Sequence, residues 1–487
     1  MRYCALDPEG LLAAAASEGV STGLCPTGPI WQGTVMFIEC SNLISGNAPA
    51  LHYGIAVADL DGDGHDEMVV AGYGGPNHIL KWDGHRLVDI ADPLIADDGR
   101  RAVGLACGDM DGDGREELYI LNSDGFSGPK QVSDRLFACF GNRWIDLFAL
   151  PENFAAVNRF AGRSVGVIDR TGSGRYSFIV ANHGGPLRLY EMGARGRLQD
   201  MADDCGLDAP GAGRSVLAAP LLGAKPDIFI GMEAGSNLLF RNDGTGHFLE
   251  MAEALGLADP AQAARGVALL DGEDGRFDLV LANGEGRHRL YQQGGGGGFA
   301  DVAPPDMAQA SRARNVIVAD FDNDGYEEIF FNNMGQPNRL FGWRDQRWVV
   351  LDAGDATLPH GFGTGAAVAD LDGDGQLELL VAHGEQAAQP LSLFIAEPRD
   401  HHWLRVRPLT LAGAPARGAL VRLWAGGRQQ MRSICAGSGY LCQMEPVAHF
   451  GLGSTRQVDR VEIVWPDGAS LRLDKPQSCQ TLTIHHP

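Results

Sequence analysis

The sequence predicts an all-β protein: a seven-bladed β-propeller followed by a small C-terminal β-sandwich. Three observations lead there. A unit of about 50 residues recurs seven times, its strands are short β-branched or aromatic runs bounded by glycine and aspartate, and after Glu397 the repeat gives way to a differently patterned β segment.

The repeat is clearest in ADLDGDGHDEMVVAG from Ala58, GDMDGDGREELYILN from Gly108, ADFDNDGYEEIFFNN from Ala319 and ADLDGDGQLELLVAH from Ala369. Weaker copies begin at Val167, Ala218 and Leu269. Taking Asp59, Asp109, Asp169, Ala219, Asp271, Asp320 and Asp370 as equivalent, the spacings are 50, 60, 50, 52, 49 and 50, the repeat length of propeller blades. In the first unit Ile55–Ala58 is the expected inner strand, followed by Glu67–Ala71, Ile79–Trp82 and Arg86–Ala91. A short signature, LVDIA at Leu87, LQDMA at Leu198, FLEMA at Phe248 and FADVA at Phe299, closes several units. The last unit has three clear strands, and Trp31 to Glu39 is expected to supply the fourth and close the ring. From His401 onward, WLRVR, ALVRLW, VEIVW and LRLD alternate as in a sandwich. The expected organisation is an N-terminal segment over 1–28, a propeller over 29–399 and a sandwich over 400–487, joined by a linker at 398–400 short enough to pack the two closely.

Composition narrows the function. The 62 acidic against 39 basic residues give a net charge of -23, which repels nucleic acid and anionic lipid. No apolar run is long enough for a membrane span. Nine cysteines without a CxxC pair argue against a disulfide framework. The first twenty residues lack a secretory pattern, so a cytoplasmic location is expected.

Each strong repeat places carboxylates at positions 1, 3, 5 and 9 and glycine at 6: Asp59, Asp61, Asp63, Glu67; Asp109, Asp111, Asp113, Glu117; Asp320, Asp322, Asp324, Glu328; and Asp370, Asp372, Asp374, Glu378. Alternating carboxylates on a glycine turn suit Ca²⁺, which takes six to eight oxygen ligands. Position 7 is His65, Arg115, Tyr326 and Gln376, chemically unrelated residues that would contribute only a backbone carbonyl. An EF-hand is excluded, because its position-12 glutamate is replaced by Val70, Ile120, Phe331 and Val381 and the flanks are strands. About four calcium sites are therefore expected, with no nucleotide or redox cofactor. Asp271, Glu273, Asp274 and Asp278 form a partial fifth set, and the loop from Asp169 lacks the charge.

These units resemble the FG-GAP/VCBS repeats of integrin-α-like propellers. The tail is similar to the ASPIC/UnbV domain through SGYLCQ at Ser438–Gln443, HFGLG at His449–Gly453 and VWPDG at Val464–Gly468. The resemblance spans nearly the whole chain and implies the propeller of the cartilage-acidic-protein-like family with its calcium loops, but no defined activity. Family members are often secreted, and some bacterial relatives lie beside natural-product pathways.

Opposite the loops, the entries to the inner strands carry Arg163, Arg214, Arg265 and Arg314, near Tyr73, Asn182, Asn283 and Asn333. They form a candidate site for an anionic small molecule or a protein partner, since guanidinium pairs bidentately with carboxylate and phosphate. The same arginines could instead tie the ring together through Glu233 and Glu285. His183, His383, Glu233, Glu285 and Glu385 are the candidate acid–base groups of an alternative function, a calcium-dependent, non-redox cyclase, isomerase or lyase. The main expectation is a binding or scaffolding module with structural calcium.

Overall fold

A computed structural model describes residues 35–487 except Asn142, Asp208 and Glu273. The 1–28 segment, Trp31 of the closing strand and Glu273 of the fifth loop lie outside the described residues.

In the first blade His52–Ala58, Glu67–Gly72, His78–Trp82 and Leu87–Asp89 pair consecutively and antiparallel. The inner strand starts three residues earlier than its apolar run, because the ladder shifts register between His52 and Ile55 and continues to Gly72. The other inner strands are Ala102–Gly108, Gly162–Ile168, Pro210–Ala219, Ala264–Asp271, Ala313–Ala319 and Gly363–Ala369. Each packs on the next, and the last meets the first, closing a ring of seven four-stranded units. Inner strands such as Ala102–Gly108 are buried along their whole length, so they read as continuous apolar runs without polar alternation.

Phe37–Glu39 closes the ring as the outer strand of the seventh blade, Phe37 lying opposite Ala396. Phe37 is buried edge-on against Phe321 at 4.8 Å. One departure from regular blades occurs where Ser177–Pro186 runs on to pair with Pro210–Ala219, fusing the third and fourth blades into one sheet.

The signature that ends several blades has a backbone task. Its acid accepts N–H groups from the neighbouring strand and from two residues ahead: Asp89 from Ile79 and Ala91 at 3.1 and 3.0 Å, Glu250 from Leu239 and Ala252 at 3.2 and 2.7 Å. Part of the acidity of the chain therefore caps outer strands.

The tail packs a three-stranded sheet, His402–Pro408, Ala448–Gly453 and Thr481–Ile484, on a four-stranded sheet ordered Arg428–Ser433, Leu420–Ala425, Val458–Val464, Ser470–Asp474. Leu404, Val421, Phe450, Ile463 and Trp465 lie between them. The tail sits directly on the acidic-loop face. The fully buried Arg417 donates to Glu116 at 2.5 and 3.1 Å and to the carbonyls of Val57 and Cys435 at 2.9 and 2.8 Å. Arg407 pairs with Asp66, and Arg432 with Glu327 at 3.0 Å. Asp66, Glu116 and Glu327 all occupy position 8 of their loops. Contact is close enough that a Cβ on Gly375, whose φ is +84°, would lie 1.8 Å from the Trp403 ring.

From the tail, residues 435–445 enter the central channel. Gln443 exchanges backbone hydrogen bonds with Ile55 and Val57 at 2.9 and 3.0 Å, and its side-chain amide bonds both ways with the Cys107 backbone at 2.8 and 3.0 Å. Ala436 O accepts from Val167 N at 2.7 Å, Gly439 N donates to Val267 O at 2.6 Å, and Tyr440 N donates to Asn315 Oδ1 at 2.8 Å. With Glu445 N donating to Val368 O at 3.4 Å, one segment of the tail thus stitches inner strands of six blades and plugs the channel.

Candidate functional site: the acidic loops and the propeller mouth

The acidic loops are folded by their own backbone. In the first and last of them the position-1 aspartate accepts N–H groups from both glycines: Gly62 and Gly64 reach Asp59 at 2.8 Å each, and Gly373 and Gly375 reach Asp370 at 2.8 and 3.0 Å; in the loop from Asp320, where Asn323 stands for the first glycine, Gly325 donates at 2.9 Å. The position-9 glutamates reach back to position 2, with Leu60, Met110, Phe321 and Leu371 donating to Glu67, Glu117, Glu328 and Glu378 at 2.8, 2.6, 3.1 and 2.7 Å. This brings side-chain oxygens of Asp59, Asp61, Asp63 and Glu67 within 4.8 Å of one another. The same holds for Asp109, Asp111 and Glu117, for Asp320, Asp322 and Glu328, and for Asp370, Asp372 and Asp374. Asp113, Asp324 and Glu378 stand in the same loops just outside these tightest sets.

Such crowding is costly for bare carboxylates. Burial, reinforced by neighbouring acids, pushes Glu67 up to about 7, Asp109 to about 6 and Glu117 to about 9. Asp320, Glu328 and Glu378 are likewise raised well above their ordinary values for the same reasons. Asp320 Oδ1 is buried without a hydrogen bond. This is a donor set of hard oxygens that fits a divalent cation.

The loops differ in how far the protein itself supplies positive charge. Lys81 Nζ stands 2.5, 2.8 and 2.9 Å from Asp61, Asp63 and Glu67. Arg344 stands 2.8, 3.0 and 3.0 Å from Asp322, Asp324 and Glu328. In the fourth loop Arg405 is 2.8 Å from Asp370. In the second, Arg115 turns away to the Gly141 carbonyl at 2.7 Å, and Arg175 takes only the Asp111 carbonyl. At position 7, His65, Arg115, Tyr326 and Gln376 donate their backbone N–H to the position-5 aspartates at 3.0, 2.9, 2.8 and 2.7 Å. In the partial fifth set the described acids have other partners: Asp271 accepts from Met431 N at 2.8 Å, Asp274 pairs with Arg276, and Asp278 accepts from Gln293 N at 2.8 Å.

At the opposite mouth, Arg214 and Arg265 approach the two oxygens of Glu233 at 3.2 and 2.8 Å, with His183 at 3.4 Å. Burial alone would raise Glu233, but these arginines hold it below its ordinary value. Arg314 grips Glu385 bidentately at 2.8 and 3.0 Å. Glu285 does not join a ring arginine; it is exposed, 3.6 Å from Arg312. Arg163 has no carboxylate partner among the described residues: it donates to the Gly125 and Phe126 carbonyls, with its guanidinium 4.9 Å from the centre of the exposed Phe126 ring. Arg214 lies near the same ring at 5.8 Å and over Tyr440, from the tail, at 5.0 Å.

The candidate acid–base groups are not assembled as a set. His183 and Glu233 meet, whereas His383 is buried against Ser392 Oγ at 2.9 Å and lowered to about 4 by burial. The asparagines have structural partners. Asn182, Asn283 and Asn333 donate to the carbonyls of Pro186, Arg287 and Pro337 at 2.7, 2.5 and 2.7 Å, stapling their turns. Tyr73 packs on Tyr53 at the rim, 5.2 Å between ring centres. Sequence reasoning missed Phe126, placed by an insertion between strands of the second blade. It also missed Asn77, Asn237 and Asn338, which accept from Gly72, Met232 and Asn333 N at 3.0, 2.9 and 2.7 Å. Their signal was an asparagine just before the third strand of a blade.

A seven-bladed propeller whose acidic-loop face is covered by a β-sandwich, and whose channel that sandwich plugs, defines a two-domain repeat protein. Family models agree: "ASPIC and UnbV" matches residues 411–487, and "FG-GAP-like repeat" matches 45–120 and 270–331. The chain is 44% identical to cartilage acidic protein 1 of Mus musculus over 91% of its length and 75% of that protein, and 44% identical to the Homo sapiens protein over 90% and 74%. It belongs to the cartilage acidic protein 1 family. Among solved structures, BBS1N in complex with ARL6DN has a TM-score of 0.50 at 10% identity, covering 75% of this chain and 98% of that one, a likeness of fold alone. The relatives correct the expected cytoplasmic location: they are named for cartilage, a tissue of extracellular matrix, and the composition of the first twenty residues did not decide the compartment. Among the described residues no helix is long and apolar enough to cross a membrane.

Proposed function

We propose that the protein is a calcium-stabilised propeller module that binds a macromolecular partner, its calcium structural and its free mouth the binding face. The four carboxylate clusters carry the calcium part of this reading: their oxygens are gathered within 4.8 Å, and members such as Glu117 and Asp320 are buried enough to disfavour their own ionisation. A divalent ion in each loop would supply the missing positive charge and fix the loops on which the tail is seated. The extracellular setting implied by the relatives suits weak, structural calcium loops, since modules there bind at roughly 10⁻⁴–10⁻³ M. The face opposite the tail is the natural binding face, because the tail covers the other and fills the channel. The dispersed histidines and glutamates give no comparable support to a cyclase, isomerase or lyase.

Elemental analysis of protein dialysed against millimolar calcium should find about four ions per chain, and chelation should lower the melting temperature strongly. Protein that carries no calcium and melts identically with and without chelator would overturn the reading.

A further inference from the structure

The mouth carries more positive charge than the protein neutralises. Among the described residues Arg163, Arg214, Arg265 and Arg314 face only Glu233 and Glu385 as ion-pair partners, leaving two guanidinium charges over. Arg214 is 4% exposed and Arg163 9% exposed, yet Arg214 Nε, Arg163 Nε, and Arg265 Nε and Nη1 make no hydrogen bond among the described residues. Buried donors left without acceptors are expensive, and expensive groups left in place at an opening point to a ligand that supplies the acceptors. Beside them Phe126 stands 61% exposed, within 5.0 Å of His183 and against two of the guanidinium groups. A large aromatic ring exposed at a desolvated arginine cluster has the composition of a binding hot spot.

We propose that this mouth binds a carboxylate carried next to an apolar or aromatic group on a peptide, received by Arg163 and the free edges of Arg214 and Arg265, with Phe126 as the apolar wall. A carboxylate is favoured over phosphate or sulfate because the cluster already holds two of its kind. Two guanidinium charges are over, but a planar carboxylate matches a guanidinium fork in shape, while the concentrated second charge of a tetrahedral dianion would lie against Glu233 and Glu385. A peptide is favoured over a free small molecule because the channel beneath is filled by residues 435–445, with Tyr440 under Arg214, whereas small-ligand sites enclose most of their ligand. The assignment rests on the propeller being a binding module, and it names what that module recognises. The carboxylate could be a chain terminus or an acidic side chain, and both present the same planar group.

The test uses the full calcium-loaded chain and ligand-observed NMR with four probes: acetyl-Ala-Phe with a free carboxylate, acetyl-Phe-Glu-amide, acetyl-Ala-Phe-amide and inorganic sulfate. At least one carboxylate probe should bind about tenfold or more tighter than the neutral amide and than sulfate, and the tighter of the two identifies a terminal or side-chain source. Phe126→Ala removes an exposed side chain and Arg163→Gln a carbonyl-bound one; each should weaken binding about tenfold while leaving calcium-dependent melting as in the parent. No binding by either carboxylate probe, equal binding of the amide, preference for sulfate, or undiminished binding in both variants would overturn the proposal. Calcium-dependent melting is read separately, so failure at the mouth with normal melting sinks this proposal and leaves the calcium reading standing.

Discussion

Blades 1, 2, 6 and 7 and blades 3, 4 and 5 solve one loop problem in two ways. In the second blade Asp109 accepts from Gly112 and Gly114 at 2.6 and 3.0 Å; in the third, Asp169 accepts from Gly172 and Gly174 at 2.8 and 2.7 Å. The turn itself therefore needs only the first aspartate and two glycines. What the third loop lacks are the acids at positions 3, 5 and 9, and ordinary polar bonds take their place: Lys225 donates to the Thr171 carbonyl at 2.6 Å, and Arg170 to the Gly246 carbonyl at 3.0 Å. The extra acids of the charged loops are not required to make the turn. They impose a charge cost that the proposed calcium, or an internal cation such as Lys81, offsets. The tail meets both groups: Arg407, Arg417 and Arg432 pair with position-8 acids of charged loops, Arg432 also reaches Asp271 of the fifth blade at 3.5 Å, and in the third blade the Tyr176 hydroxyl donates to the Arg417 carbonyl at 3.0 Å.

The comparison can be broken most sharply at the tail contact. Arg417→Met leaves Glu116 buried and unpaired and should cost about 3–5 kcal/mol in chemical denaturation, whereas Lys225→Met, at an exposed bond of the third loop, should cost less than about 1 kcal/mol. Equal costs would mean that charged and uncharged loops carry the tail alike. Acid should next loosen the junction of the first and last blades. Burial lowers His52 and His383 from 6.5 to about 4, so both are neutral when folded and charge only on unfolding. Their contribution is intact above pH 6.5 and is lost as the pH falls from 6.5 toward 4, by up to about 3 kcal/mol each. A melting temperature flat across that range at constant calcium would contradict it. Asp111→Asn should remove one ion from the calcium count and up to about 3 kcal/mol of calcium-dependent stability, while Thr171→Ala at the matching position 3 of the third loop should leave the count unchanged. The smallest effect is expected for Lys81→Met, which frees Asp61, Asp63 and Glu67 from an ammonium. Calcium affinity of one site should rise about tenfold, visible by titration calorimetry; an unchanged isotherm would show that the lysine does not compete.

Much of this was legible before folding. Asp59, Asp109, Asp320 and Asp370 announced the clustered acidic loops because the carboxylate spacing is local, and Phe37–Glu39 could be named as a closing strand because the last blade was one strand short. The asparagines at the mouth misled, since Asn182 and Asn333 look like solvent-facing polar groups until the carbonyl four residues ahead is seen to need a donor. The arginines were visible but their partners were not. Arg314 and Glu385 are 71 residues apart, in neighbouring blades, and nothing local chooses Glu385 over Glu285.

The sequence by itself determined the repeat period, the strand order within each blade and the clustering of acids in the loops, because turns, strands and neighbouring loop carboxylates depend on residues within a dozen positions. Only the tertiary structure decided that the tail lies on those loops, that Gln443 spans 336 residues of sequence to bond Cys107 inside the channel, and that Arg163 is left at the mouth without a carboxylate partner among the described residues. Those outcomes depend on which surfaces meet when the ring closes. Buried polar groups then pair with whatever the closed ring places within reach, and the chain order does not encode that distance.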